Sequence, residues 1–182
     1  TVSVSADKAA YGERVTFTAT PDSALPGVVF WKWIGDVPAG QETVNPLTLT
    51  VDTAKTLKAV FGAEKTYVAS ADAPNANPQA PYTTVDTAAN GLDEALAVTV
   101  DGGTVELLEG VHELGDTVTL ARPISISGQN GFARTTVRRV NKTSGGICRL
   151  FVLDHAAATL AGLTLTGGFT YGSSAGNGAA VR

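Results

Sequence analysis

Residues 159–168 read Thr-Leu-Ala-Gly-Leu-Thr-Leu-Thr-Gly-Gly, and leucine alternating with threonine between glycines is a pattern that few folds can use. A strand turns successive side chains to opposite faces, so one side of this run is apolar and the other carries small hydroxyls. Two other stretches answer it: 123–128, Pro-Ile-Ser-Ile-Ser-Gly, and 104–108, Thr-Val-Glu-Leu-Leu. No such segment can bury its apolar face alone. Each needs a similar rung above and below it, which is the logic of a solenoid. The interval from Ile124 to Leu163 is about double that from Val105 to Ile124, and it must hold two more strands, 135–140 and 150–154, around the turn-rich stretch 141–146. The spacing therefore predicts about three coils, the second one expanded.

Composition agrees with a β-rich chain. Twenty glycines, abundant Thr, Val and Ala, and a charged fraction of 16% favour strands and turns over long solvated helices. At 182 residues the chain makes one or two domains. A net charge of −4 argues against a general nucleic-acid binder, which carries a basic footprint. No apolar run approaches the roughly 20 residues that span a bilayer. The chain opens at Thr1 with no signal-peptide pattern, as a processed product or a fragment does. Cys148 stands alone, which excludes an internal disulfide and reads as a small buried apolar group.

The pattern changes near 62–70, dividing the chain into a small β repeat domain, 1–63, and a second unit, 64–182. Five short strands are expected in the first, at 1–6, 14–20, 28–33, 47–52 and 56–61, with turns at 7–12, 21–27 and 35–40. The segment Phe30-Trp31-Lys32-Trp33-Ile34-Gly35-Asp36, followed by the strands that start near Leu47 and Thr56, resembles the divergent internalin-B-type bacterial repeat. That resemblance implies a spacer or adhesion module of secreted and surface-attached bacterial proteins, without an active site. Trp31 and Trp33 share a strand face by spacing, so they form either a sugar-stacking platform or the core of a domain poor in other large residues.

The second unit begins with Tyr67-Val68-Ala69-Ser70 and a proline- and asparagine-containing loop, 71–81. Val85, Ala88, Ala89, Leu92, Ala95, Leu96 and Val98 then form one apolar stripe, which predicts a helix capped by Thr83 or Thr84 and weakened by Gly91. A helix placed before the first coil can cover the apolar end of a solenoid. This order of parts, ending in Gly162-Leu163-Thr164-Leu165-Thr166-Gly167-Gly168, looks like the amino-terminal part of a right-handed parallel β-helix of the pectin-lyase-like superfamily, over about 66–182. The expected fold is thus mainly β: a small β-domain, then a helix-capped right-handed parallel β-helix of about three coils, truncated at its carboxy-terminal end. The resemblance implies an extracellular solenoid, in many members a binder or cleaver of acidic polysaccharide, in others an adhesin or structural protein.

The best candidate for ligand contact is basic. Arg134, Arg138, Arg139, Lys142 and Arg149 lie close together in an otherwise acidic chain, and arginine grips carboxylates through paired hydrogen bonds. Arg138 and Arg139 are adjacent in a strand, so one of them must point inward or sit at a strand end. A solvated turn is the plainer reading of the group. The carboxylates Glu106, Glu109, Glu113, Asp116 and Asp154 are scattered, with Glu106 expected on the outer face of its strand, and no catalytic residue is assigned. Calcium is the one conceivable cofactor, through Asp101 or through Asp72 with Asn75 and Asn77, though turn chemistry explains these residues as well. His112 and His155 lack metal-ligand spacing and are expected at the surface or in caps. The sequon Asn141-Lys142-Thr143 is expected to be unmodified in a bacterial protein.

The functional expectation is the non-catalytic front part of a secreted or surface-attached bacterial protein, serving adhesion, display or polysaccharide binding. The alternative is the front of a polysaccharide lyase or glycoside hydrolase whose catalytic coils lie beyond Arg182. Expected partners are acidic polysaccharide or cell-surface glycan, not nucleic acid or a membrane span. A second copy of the chain could also pair at the open end of the solenoid.

Overall fold

The fold was taken from a computed structural model, which describes residues 1–6, 8–140, 149–168, 180 and 181. The chain is mainly β and divides into two compact units, Thr1–Gly62 and Ala63–Arg182.

In the first unit, β1 (Val2–Val4), β2 (Arg14–Ala19) and β4 (Leu47–Thr50) form an antiparallel sheet in the order β1-β2-β4, and β3 (Val28–Gly35) lies beside β5 (Leu57–Val68). Register follows the apolar pattern: Val15 faces Leu49 and Phe17 faces Leu47, while the Thr16 and Thr48 hydroxyls meet at 2.9 Å between them. The β2–β4 ladder continues past Pro46, which has no N–H to give. There the Asn45 side chain takes over, accepting from the Ala19 N–H at 2.9 Å and donating to the Ala19 carbonyl at 2.7 Å. β5 runs from Leu57 to Val68, with a register shift between Ala63 and Lys65, where a break between residues 61 and 67 was expected.

Trp33 organises the core of this unit. It is 1% exposed, packs against Phe30 at 5.2 Å and Phe17 at 6.4 Å between ring centroids, and donates its indole N–H to the Val44 carbonyl at 2.9 Å. The Gly35-Asp36 pair that follows has a purely structural reason. Gly35 stands at φ +103, where a Cβ would fall 2.2 Å from the Thr56 carbonyl oxygen, so only glycine allows the strands to come that close. Asp36 then locks the crossing by accepting the Thr56 N–H at 2.7 Å.

In the second unit the expected long helix does not form. A 3-10 turn at Val85–Thr87 stops at Ala88, and α1 is only Leu92–Val98. Between them the backbone is extended, because Ala89 pairs with β5: its N–H donates to the Tyr67 carbonyl at 2.9 Å and its carbonyl accepts from Ala69 at 2.8 Å. Ala88, Ala89, Leu92 and Ala95 of the stripe are buried and Val85 is exposed, and two kinds of backbone present them. α1 ends under Arg122, whose guanidinium donates to the carbonyls of Leu96 at 2.5 Å and Thr99 at 2.9 Å and to Asp101 at 3.0 Å. These carbonyls lack helical partners, and a cation there also suits the helix dipole.

After α1 the chain makes β6 (Thr99–Leu107), β7 (Gly110–Leu114), β8 (Val118–Leu120), β9 (Ser125–Gly128), β10 (Thr135–Arg139), β11 (Phe151–Leu153), β12 (Thr159–Ala161) and β13 (Thr164–Thr166). Every pairing among them is parallel: β5-β6-β9-β12, β7-β10-β13 and β8-β11. The chain therefore returns to the same sheets in the same order, placing like residues above one another. Val105, Ile126 and Leu160 form one inward column; His112, Val137 and Leu165 form another. Outside, the Thr159 hydroxyl donates to Ser125 at 2.8 Å. The connection from β10 to β11 is much longer than that from β7 to β8, as the expanded second pass requires.

Two details differ from expectation. The column runs Val105–Ile126–Leu160, not through Ile124 and Leu163, so the true repeat is offset. Residues 159–168 are also not one straight strand. Gly162, at φ +62, turns the chain from β12 into β13, and its carbonyl comes so near Gly128 that a Cβ there would lie 2.2 Å from it.

Candidate binding site

Alternation along β7 decides what each of its residues can do. His112 and Leu114 turn inward, while Glu113 turns to solvent. The parallel register sets β10 beside it with Arg138 directly opposite Glu113, and the two side chains form an ion pair. Neighbours repeat the arrangement: Arg134 lies 3.8 Å from Glu109, and Arg139 lies 3.7 Å from Asp116. The basic group is thus brought together, but as a ladder matched by carboxylates of the preceding pass. Sequence reading treated Glu109, Glu113 and Asp116 as scattered because β7 was not recognised as a strand.

The members of the group are not equivalent. Arg134 and Arg138 are exposed. Arg139 is buried, at 9% exposure, and reaches the Arg149 carbonyl at 3.4 Å; it is the inward-pointing member of the adjacent pair. The Arg149 carbonyl also accepts from the Thr117 hydroxyl at 2.9 Å. Lys142 and Cys148, with the sequon, lie outside the described residues.

The two tryptophans do not make a common platform. Trp33 is sealed in the core, while Trp31 is half-buried outside that cluster, with the Lys32 ammonium 4.8 Å from its ring centroid. Strand β3 does not keep strict alternation here, since Phe30 and Trp33 touch each other. Glu106 does face away from Val105 and Leu107, but it is paired with Lys65, which also lies 5.0 Å from the Tyr67 ring centroid.

Asp72, Asn75 and Asp101, considered for calcium, each hold a partner within the protein. Asp72 accepts the Val111 N–H at 2.9 Å, and that bond is the main reason its carboxyl sits below the usual aspartate value. Asn75 accepts the Asn77 N–H at 3.0 Å and donates to the carbonyls of Asp86 and Ala88. Asn90 returns the contact, accepting from the Asn75 N–H at 2.7 Å and donating to its carbonyl at 2.9 Å. Asp101 belongs to Arg122. Among the described residues no group of three or more His, Cys, Asp or Glu side chains is arranged to hold a metal ion.

His112 was expected at the surface or in a cap, and instead is buried at 6% exposure. One ring nitrogen, Nε2, lies 2.8 Å from the Leu108 carbonyl. That oxygen can only accept, so Nε2 carries the proton and Nδ1 keeps a lone pair. Burial holds the ring below the ordinary histidine value, partly offset by the Leu108 bond and by the charge of Asp72. The ring lines a cavity of about 560 Å³ between the start of α1 and the β7–β8 segment, floored by Leu92, Leu96, Leu114 and Val118 and edged by Asp93, Glu113 and Asp116. A second hollow, about 360 Å³, lies at the β12–β13 end among Leu153, Leu160, Leu163 and Leu165. No helix among the described residues is long and apolar enough to cross a membrane.

No curated protein and no solved structure matches the chain. Residues 1–65 match the family described as the divergent InlB B-repeat domain, a bacterial repeat of a kind typical of surface proteins.

Proposed function

We propose that this chain is the non-catalytic front part of a secreted or surface-attached bacterial protein, in which a B-repeat domain carries the helix-capped start of a right-handed parallel β-helix serving adhesion, display or binding of acidic polysaccharide. The observation that carries the reading is the match of residues 1–65 to a bacterial surface-type repeat. The parallel sheets β5-β6-β9-β12, β7-β10-β13 and β8-β11, visited in a fixed order, support the solenoid part.

For the ligand, support comes from the exposed arginines. Exposed ion pairs such as Arg138–Glu113 are worth about 0.2–1 kcal/mol, so a uronate carboxylate can replace Glu113 on Arg138 at little cost and with little gain per contact. Binding on this basis is weak per site and accumulates along a polymer. The test is calorimetric titration of polygalacturonate into the chain, with ultraviolet absorbance followed for unsaturated product. Glu113→Gln frees Arg138 and is expected to tighten binding; Arg138→Ala is expected to weaken it. Affinity unchanged in both variants removes the ladder as a recognition surface, and release of unsaturated product removes the non-catalytic reading.

A further inference from the structure

We propose that the cavity between α1 and the β7–β8 segment is a binding site for a small organic cation, a protonated amine carried on an apolar body. Leu92, Leu96, Leu114 and Val118 supply an apolar floor, and about 560 Å³ lies within the usual range of about 300–1,000 Å³ for small-molecule sites. No Lys or Arg is among the residues that bound it, and of its acidic residues Glu113 turns to solvent while Asp93 and Asp116 stand at the edge. Carboxylates only accept hydrogen bonds, so the ligand must bring the donors.

His112 adds a polar group to this apolar lining. It is more than nine-tenths buried, and with Nε2 committed to the Leu108 carbonyl its Nδ1 has no hydrogen-bond partner among the described residues. Every fully buried side-chain nitrogen or oxygen among those residues does have a partner, so Nδ1 is not sealed in. The ring lines the cavity, and its Nδ1 is an acceptor without a donor. A ligand N–H supplies the donor that this acceptor lacks. The three carboxylates are unequal. Arg138 holds Glu113 and Arg139 approaches Asp116, whereas Asp93 has no ion pair among the described residues. An ammonium group therefore has two natural contacts, Nδ1 of His112 and the Asp93 carboxylate, while an anion finds no cation on the lining.

The test uses three probes of one shape: phenethylammonium, 2-phenylethanol and phenylacetate, titrated into isotope-labelled chain and followed by amide and imidazole nitrogen resonances. Phenethylammonium is expected to saturate, shifting the amides of Ala71, Leu92 and Gly115 and the Nδ1 resonance of His112. Phenylacetate is expected to bind at least about tenfold more weakly. Asp93→Asn, at an exposed position, is expected to weaken the ammonium several-fold without changing the spectrum of the fold, and Leu96→Trp to block it by filling the floor. The proposal is overturned if phenylacetate binds as well as the ammonium. It is equally overturned if the shifts scatter over the surface without saturating, or if a folded Asp93→Asn protein binds unchanged. Binding of the alcohol as tight as the amine would show an apolar pocket with no preference for charge, and would also overturn it.

Discussion

The two units solve one problem, burying apolar side chains between short strands, in opposite ways. The first concentrates its core: Ala19, Trp33, Leu47 and Leu49 are the buried residues around which Phe17, Phe30 and Phe61 gather, and one indole sits at the centre. The second distributes it through columns of medium-sized aliphatics, in which Val105 supports Ile126 and Ile126 supports Leu160. An antiparallel sheet of few strands has no repeat to lean on and needs one large anchor. Parallel passes repeat the same inward position, so each side chain rests on its neighbours and no single one dominates. The difference also orders sensitivity to mutation.

Trp33→Ala is expected to have the largest effect, about 3–5 kcal/mol, for a fully buried aromatic whose indole N–H also satisfies Val44. In a unit of this size that is most of the available stability. Amide exchange should show protection lost across β2, β3 and β4; retained protection would mean that the core is not centred on this ring. Ile126→Ala should cost less, about 2–3 kcal/mol, and Leu160→Ala, at a half-buried end of the same column, less again. Chemical denaturation of both variants checks this, and equal losses would break the picture of a column whose cost falls toward its end.

These effects also separate what could be read in the sequence from what could not. The strands of the first unit were legible, because Val15-Thr16-Phe17 and Leu47-Thr48-Leu49 alternate and turn residues punctuate them. The alternation in 104–108 and 123–128 likewise marks β6 and β9. The stripe at 85–98 misled because the helical period records which residues face the core and not the backbone that presents them. Asn90-Gly91, a turn signal inside the stripe, was the clue to its break. β7 was missed since Gly-Val-His-Glu-Leu places a histidine at an inward position, and with it went the register that pairs the arginines with Glu109, Glu113 and Asp116. Pairing between strands far apart in sequence depends on register, which composition does not carry. Arg122 gave no signal, because two of its partners are backbone carbonyls and the third, Asp101, meets it only through the fold.

His112 places a pH-dependent weakness in the distributed unit. Burial lowers its pKa, so the folded chain holds fewer protons on this ring than the unfolded chain below about pH 6.5. Its neutral form supports folding above the unfolded pKa, and stability falls as pH drops from there toward the lower folded value. Asp72, the charge that acts on the ring, titrates in a separate and more acid window: its depressed pKa adds stability that is lost only as pH falls through and below the ordinary aspartate range. Thermal unfolding between neutral pH and pH about 5 should show the first loss in the parent and not in His112→Gln. An identical slope in both would assign the effect to other groups.

The smallest expected effect lies on the outer face of the same strands. Arg138 and Glu113 are both exposed, so their mutual attraction is screened by water and salt and offset by the entropy of holding two long side chains still. Arg138→Ala and Glu113→Ala should each cost no more than about 1 kcal/mol, and a double-mutant cycle should give a coupling of about 0.2–1 kcal/mol that shrinks as salt is added. The inward neighbour supplies the contrast. Arg139 is buried with the Arg149 carbonyl and Asp116 within reach, so truncating it removes packing as well as charge and should cost more than Arg138→Ala. A coupling at Arg138–Glu113 that exceeds the loss at Arg139 would mean that the outer ladder, and not the inward columns, holds β7 to β10. The distributed core would then be the wrong account of this unit.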